Sequence, residues 1–301
     1  MFTCILCKSL NFQIENHTIR NNFENIYKIL KCINCSHIQL FPNDYDTNEY
    51  YNNDTQVKEI LTISDRSNLH YSEMLKFEAL KRLNILKKHI IFKDNLNVID
   101  IGGGTGEFIT LLNNTKYNLK LSILEPGVIR LNECILENVN RINQSLDDEF
   151  TQNNEGLFDI VTAFHVLEHT IDPIQFVNNC YKLLKQNGLL YIEVPNQDND
   201  LIKISDYYKN NIWYCKSHIS YFTKNTLKYI FNKLNINNYV IGSQERYDYE
   251  NYTHWVTHNK PQKIPTYYKE YVMGMTPDET SWLMNRDVNI TSEAIYAIIR
   301  K

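Results

Sequence analysis

No apolar run in this chain of 301 residues is long enough to span a bilayer. The residues ahead of the first cysteine, Met1-Phe2-Thr3, carry none of the regions of a secretory signal. The two absences lead to the expectation of a soluble, cytoplasmic chain with reduced thiols and no membrane partner. An excess of positive charge is lacking too: 31 Lys and Arg stand against 35 Asp and Glu, for a net charge of -4. A phosphate-backbone partner normally calls for a basic face, so nucleic acid is disfavoured. Glycine is sparse, with nine residues in all, yet four of them stand at 102, 103, 104 and 106.

Those glycines belong to Val98-Ile99-Asp100-Ile101-Gly102-Gly103-Gly104-Thr105-Gly106, an apolar strand, an acid and a turn opening onto a helix. A strand that turns sharply into a helix while a ligand approaches its backbone cannot carry β-carbons at the turn, which Gly102, Gly104 and Gly106 satisfy. A dinucleotide fingerprint would need its third glycine at position 107, where Glu107 stands. A P-loop would need Gly-Lys-Ser/Thr where the chain reads Thr105-Gly106-Glu107. NAD and ATP are therefore disfavoured, and D-x-G-x-G-x-G remains.

In this pattern the chain resembles the class I S-adenosylmethionine-dependent methyltransferases, and the resemblance continues in order. Leu119 to Glu125 reads as the next strand with an acid at its end. Phe158 to Phe164 reads as a third, followed by His165-Val166-Leu167-Glu168-His169 as in the family's F-D-x-V-x-x-x-H-V-L-E-H segment. Ser217 to Thr223 resembles the family's H-L-x-x-F-S/T segment. A purely structural glycine turn is the competing reading. The resemblance implies S-adenosylmethionine as cofactor, with Asp100 orienting the loop and the methionine amino group. It further implies that Gly102, Gly104 and Gly106 admit the ligand, that Glu125 holds the ribose, that Ser145 and Leu146 meet the adenine, and that His165 lies beside the methionine part.

Asp172-Pro173 is a good helix start, capping carboxylate before pre-set proline, and apolar residues then recur at helical spacing up to Gly188. Leu189 to Asn196, 238–241 and 293–299 read as strands, and 224–234 as a helix. An earlier helical stretch, 67–92, shows Tyr71, Leu75, Ala79, Leu83, Leu86 and Ile90 on one stripe, read as core. The expected fold is α/β: a doubly wound, Rossmann-like sheet, seven-stranded as the resemblance implies, with ligands at the carboxyl ends of its strands.

Cys4-Ile5-Leu6-Cys7 and Cys32-Ile33-Asn34-Cys35 form two C-x-x-C knuckles. Four thiolates at this spacing describe a closed tetrahedral zinc site, structural rather than catalytic, in a segment too small for a core of its own. Disulfide or redox use is the alternative. Cys134, Cys180 and Cys215 are isolated and are assigned to packing.

Four regions follow: a zinc ribbon at 1–41, a linker and helical segment at 42–95, the cofactor-binding core at 96–245, and an aromatic-rich insertion with the last strand at 246–301. Ribbon plus core looks like methyltransferases that modify sugars, either nucleotide-linked or bound for surface polysaccharide. The sugar C-methyltransferases carry a longer C-terminal domain, so transfer to oxygen or nitrogen of a small molecule is expected. A nucleic-acid methyltransferase gripping with its ribbon and a non-catalytic module with a retained cofactor fold are the alternatives. Transfer to a hydroxyl requires loss of its proton, for which His165, His169 and His218 are candidates. Their competing readings are a cofactor contact for His165 and a loop-fixing hydrogen bond for His169. Tyr247, Tyr252, His254 and Trp255 either stack on an acceptor or pack the insertion onto its own domain. The oligomeric state is not readable.

Overall fold

Strands with near-continuous apolar character need cover on both faces, and that requirement organises the molecule. The computed structural model describes residues 2–20, 26–43, 68–260, 262 and 275–301. Most of the expected linker and part of the aromatic insertion lie outside them.

Five strands run parallel: β4 (Asn97–Ile101), β5 (Lys120–Leu124), β6 (Val139–Ile142), β7 (Phe158–Phe164) and β8 (Leu184–Pro195). Two more, β10 (Tyr239–Gln244) and β11 (Ala294–Arg300), complete a seven-stranded sheet of order β10-β11-β8-β7-β4-β5-β6. β11 is antiparallel to both its neighbours. After β4 the chain winds outward through β5 and β6, then returns to place β7 on the other side of β4. That reversal opens a crevice at the carboxyl ends of β4 and β7.

The covering helices begin with α1 (Asn68–His89), followed by α2 (Glu107–Asn113), α3 (Val128–Glu133), α4 (Asp148–Asn153), α5 (Pro173–Leu183) and α6 (Lys224–Lys233). Asp172 caps α5 by accepting from the Gln175 amide, as its sequence suggests. The helix stops at Leu183, short of Gly188, because the chain is already claimed by the sheet. Leu184 pairs with Phe158, and Lys185 bonds Asp159 at 2.6 Å. In α1, Ala79, Leu83 and Leu86 are buried as the stripe suggests, whereas Leu75 is only partly buried. Glu78, Lys81 and Arg82 are buried beside them, which an apolar stripe does not announce.

The N-terminal ribbon is an antiparallel meander of β1 (Phe12–Glu15), β2 (Lys28–Cys32) and β3 (Ile38–Phe41). Its sheet gains a fourth strand, β9 (Ser220–Tyr221), from the segment after β8. Ile19, Ile29, Ile38 and Leu40 of the ribbon share an apolar cluster with Tyr214, Tyr221 and Trp255. The small module thus obtains the core it could not build alone.

Candidate functional site

The glycine turn leaves β4 with Gly102 at φ +66° and Gly106 at φ +85°, both left-handed. A β-carbon on Gly102 would fall 2.4 Å from Val166 Cγ2, and one on Gly106 would fall 2.8 Å from Cys134 Sγ. Neither position accepts a side chain. Gly104, also left-handed, lies against the Arg130 guanidinium.

Asp100 is buried beneath the turn, where its Oδ1 accepts from the Thr162 hydroxyl at 2.6 Å. Burial raises its pKa to about 7, so a cationic partner would be needed to hold it fully ionised. Glu125, at the end of β5, is buried with Oε2 accepting from the Gly104 amide at 3.0 Å and Oε1 from the Gly127 amide at 2.8 Å. Each oxygen keeps a second lone pair for a hydroxyl donor. Ser145 and Leu146 lie on the turn between β6 and α4, on the same end of the sheet. Acid, glycine backbone and second acid thus meet at the carboxyl ends of β4 and β5, a set that suits a nucleoside carrying an ammonium group.

His165 follows β7 in a left-handed conformation, φ +55°, which a residue with a β-carbon adopts only under constraint. Its amide donates to the Glu193 carbonyl at 2.8 Å. The ring sits between two carboxylates: Nδ1 is 3.2 Å from Glu168 Oε1 and Nε2 is 3.3 Å from Glu193 Oε1. Burial works against a charged imidazole here, but the two carboxylates outweigh it and raise the pKa. His169 donates from Nδ1 to the Ser217 carbonyl at 2.7 Å, which directs Nε2 as the acceptor, 3.9 Å from Glu168. Burial lowers its pKa, and lowers that of His218 to about 4. The rings of His169 and His218 meet edge to face with centroids 5.0 Å apart. The structure thus gathers all three histidines around Glu168 and shifts them in opposite directions, His165 up and His169 and His218 down.

The apolar pattern concealed a chain of buried charges behind this group. Arg82 of α1 reaches Glu193 at 2.7 Å and Glu78 at 3.4 Å, and Arg246 reaches Glu78 at 2.7 Å. Glu193 is held down to about 2: burial opposes this, and Arg82 and His165 prevail. The only signal in the sequence was the placement of Glu78 and Arg82 on the same turn-to-turn ridge of α1, adjacent to the apolar stripe.

The insertion packs onto the core. Trp255 of α7 (Tyr249–His258) is buried against Tyr208, and the Tyr252 hydroxyl donates to Asp200 at 3.1 Å. Arg286 of α8 (Pro277–Asn289) lies over the Tyr252 ring and bonds Glu245 and Asp200. His254 stacks on His258 at the surface, and Tyr247 lies against Met74 and Phe77.

At the ribbon's knuckles, Cys4 and Cys35 sulfurs stand 3.5 Å apart, as do those of Cys7 and Cys32, and all four lie within 4.8 Å. A tetrahedral zinc with Zn–S of about 2.3 Å sets its sulfurs about 3.8 Å apart. The four thiols fit that ion.

The sequence profile of the family described as a methyltransferase domain matches residues 70–239, and the chain belongs to that family. The ubiquinone biosynthesis O-methyltransferase of Hydrogenovibrio crunogenus is 26% identical over 160 residues, 51% of this chain and 66% of its own length. The mitochondrial enzyme of the same name from Dictyostelium discoideum is 27% identical over 117 residues, 35% of this chain and 36% of its own length. The chain spans less than two thirds of these relatives. In fold it is similar to a SAM-dependent methyltransferase from Archaeoglobus fulgidus, with TM-score 0.50 and 19% identity over 75% of this chain and 94% of that one. A Thermotoga maritima protein described as a possible histamine N-methyltransferase gives TM-score 0.50 and 13% identity over 84% of this chain and 97% of that one. No helix among the described residues is long and apolar enough to cross a membrane.

Proposed function

We propose that this chain is an S-adenosylmethionine-dependent methyltransferase acting on an oxygen of a small molecule. The observation that supports the reading is the placement of Asp100, the glycine turn, Glu125 and the histidine cluster at the carboxyl ends of the neighbouring strands β4, β5 and β7. S-adenosylmethionine, when bound, supplies a methyl group on a sulfonium that is already a good leaving group. Asp100 would face its ammonium, Glu125 its ribose hydroxyls, and Ser145 with Leu146 its adenine. His165, fixed by Glu168 and Glu193, would position the methionine end. His218, neutral and partly accessible, would accept the acceptor hydroxyl's proton, and Glu168 beside it would stabilise the resulting imidazolium. Alignment and exclusion of water remain the fold's main contributions.

A sugar hydroxyl, nucleotide-linked or part of a surface-polysaccharide precursor, is our first acceptor class, supported by the combination of Cys4-type ribbon and core. A phenolic hydroxyl is the second, favoured by the similarity to ubiquinone biosynthesis O-methyltransferases. The four ribbon cysteines would hold a structural zinc. Incubation with methyl-labelled S-adenosylmethionine and fractionated small-molecule extract tests the proposal. Label is expected in the sugar-nucleotide fraction. Label in a phenolic fraction replaces the first acceptor by the second, and absence of label from every fraction overturns the enzymatic reading.

A further inference from the structure

Two arginines from distant elements, Arg20 of the ribbon and Arg246 after β10, approach the loop that carries His218. We propose that they form an anion subsite beside His218, which holds a phosphate or carboxylate group of the acceptor. The proposal rests on the acceptor reading above and deepens it.

The Arg20 amide donates to the Tyr214 carbonyl at 2.8 Å, and its Nη1 donates to the Ile212 carbonyl at 3.1 Å. The same stretch continues to His218, whose amide donates to the Cys215 carbonyl at 3.3 Å. Among the described residues Arg20 pairs with no carboxylate, and its Nε is buried without a hydrogen-bond partner. A guanidinium drawn from water with neither counter-ion nor full set of acceptors is costly, and an anion would supply both. Arg246 has one carboxylate partner among the described residues, Glu78, bonded through Nε at 2.8 Å and Nη2 at 2.7 Å. Glu78 also faces Arg82 at 3.4 Å, so Arg246 shares its counter-ion. The Arg246 side chain stays 31% exposed, which leaves its other donors open to a ligand. Through Glu78, Arg82 and Glu193 it is linked to His165, which Glu168 joins to His169 and His218.

A planar guanidinium matches the oxygens of phosphate and carboxylate alike, and two of them from separate segments fix such a group in one orientation. The subsite therefore suits an acidic sugar or the pyrophosphate of a nucleotide-linked one, whereas a neutral acceptor would leave Arg20 uncompensated. The same arrangement bears on His218, whose ring has His169 and Tyr221 against it. Burial is the largest cause of its lowered pKa; Glu168 opposes the shift, and Arg20, His165 and Arg246 add to it. An anion bound between the arginines offsets their charge, so His218 becomes the better base once the acceptor is in place.

Calorimetric titration of the full chain, with S-adenosylhomocysteine bound, tests the subsite with inorganic pyrophosphate and glucuronate as probes and glucose as the neutral control. One saturable site is expected for at least one of the two anions, with glucose tenfold or more weaker. Pyrophosphate alone identifies a phosphate-bearing acceptor, and glucuronate alone a carboxylate. Arg20→Gln and Arg246→Gln should each weaken the anion tenfold or more, with circular dichroism and S-adenosylhomocysteine affinity retained. Arg246→Gln leaves Glu78 paired with Arg82, so this variant keeps the buried network closed. Lys87→Gln, at an exposed position of α1, should leave anion affinity within threefold. No saturable binding of either anion up to millimolar concentration, or binding indifferent to both arginine substitutions, overturns the subsite. Arginine-dependent anion binding in a protein that transfers no methyl group would leave the subsite standing and overturn the acceptor reading instead.

Discussion

Glu125 shows how much one side chain can carry. It is the last residue of its strand turn, buried, and already bonded to two backbone amides that shape the glycine loop. Removal of its carboxylate takes away both the ribose acceptor and the loop's internal support. Glu125→Ala is expected to weaken S-adenosylhomocysteine binding tenfold or more, about 1.4 kcal/mol, measured by calorimetry. Unchanged affinity would remove the ribose assignment. His165 illustrates a different matter. Its sequence position suggested both base and cofactor contact, and only the fold sets it between two carboxylates that favour its protonated form.

Among elements, the junction of α1, β7 and β8 concentrates buried charge, with Arg82 from α1, Glu193 from β8 and His165 just after β7. The pH dependence of stability follows from the directions of their shifts. Glu193, lowered from 4.5 to about 2, contributes stability that is present above pH 4.5 and lost as pH falls toward 2. His165, raised above 6.5, contributes stability that is present below pH 6.5 and lost as pH rises through its shifted value. A stability plateau between these limits is expected in thermal melts. In Glu193→Gln the acid limb should flatten, so that the gap in Tm between variant and parent narrows from pH 4.5 downward. A constant gap across that range would mean that Glu193 is not the titrating partner. α1 itself was legible as a helix by its stripe. The charges on its flank were not, because their partners lie 111 and 168 residues away in sequence.

On the scale of the whole molecule, the ribbon and the crevice are mechanically joined through β9. The Leu40 amide donates to the Ile219 carbonyl, and the Arg20 amide to the Tyr214 carbonyl, so the His218 loop is gripped from the ribbon side. Elemental analysis should find about one zinc per chain at the ribbon cysteines. Chelation of the ribbon zinc should then speed hydrogen exchange at 38–41 and 217–221, while amides of β4 and β7 and S-adenosylhomocysteine affinity change little. Unaltered exchange in both segments would show that the ion does not hold this junction. The alternation of strands and helices, the glycine turn, the acids at 100 and 125 and the paired knuckles were legible in local sequence, because period, spacing and β-carbon sterics act over a few residues, whereas the strand order was not. Which histidine is charged, where Glu168 finds its neighbours and how the ribbon acquires a core were decided only by tertiary structure. Electrostatics and burial depend on residues that the fold alone brings within a few ångströms.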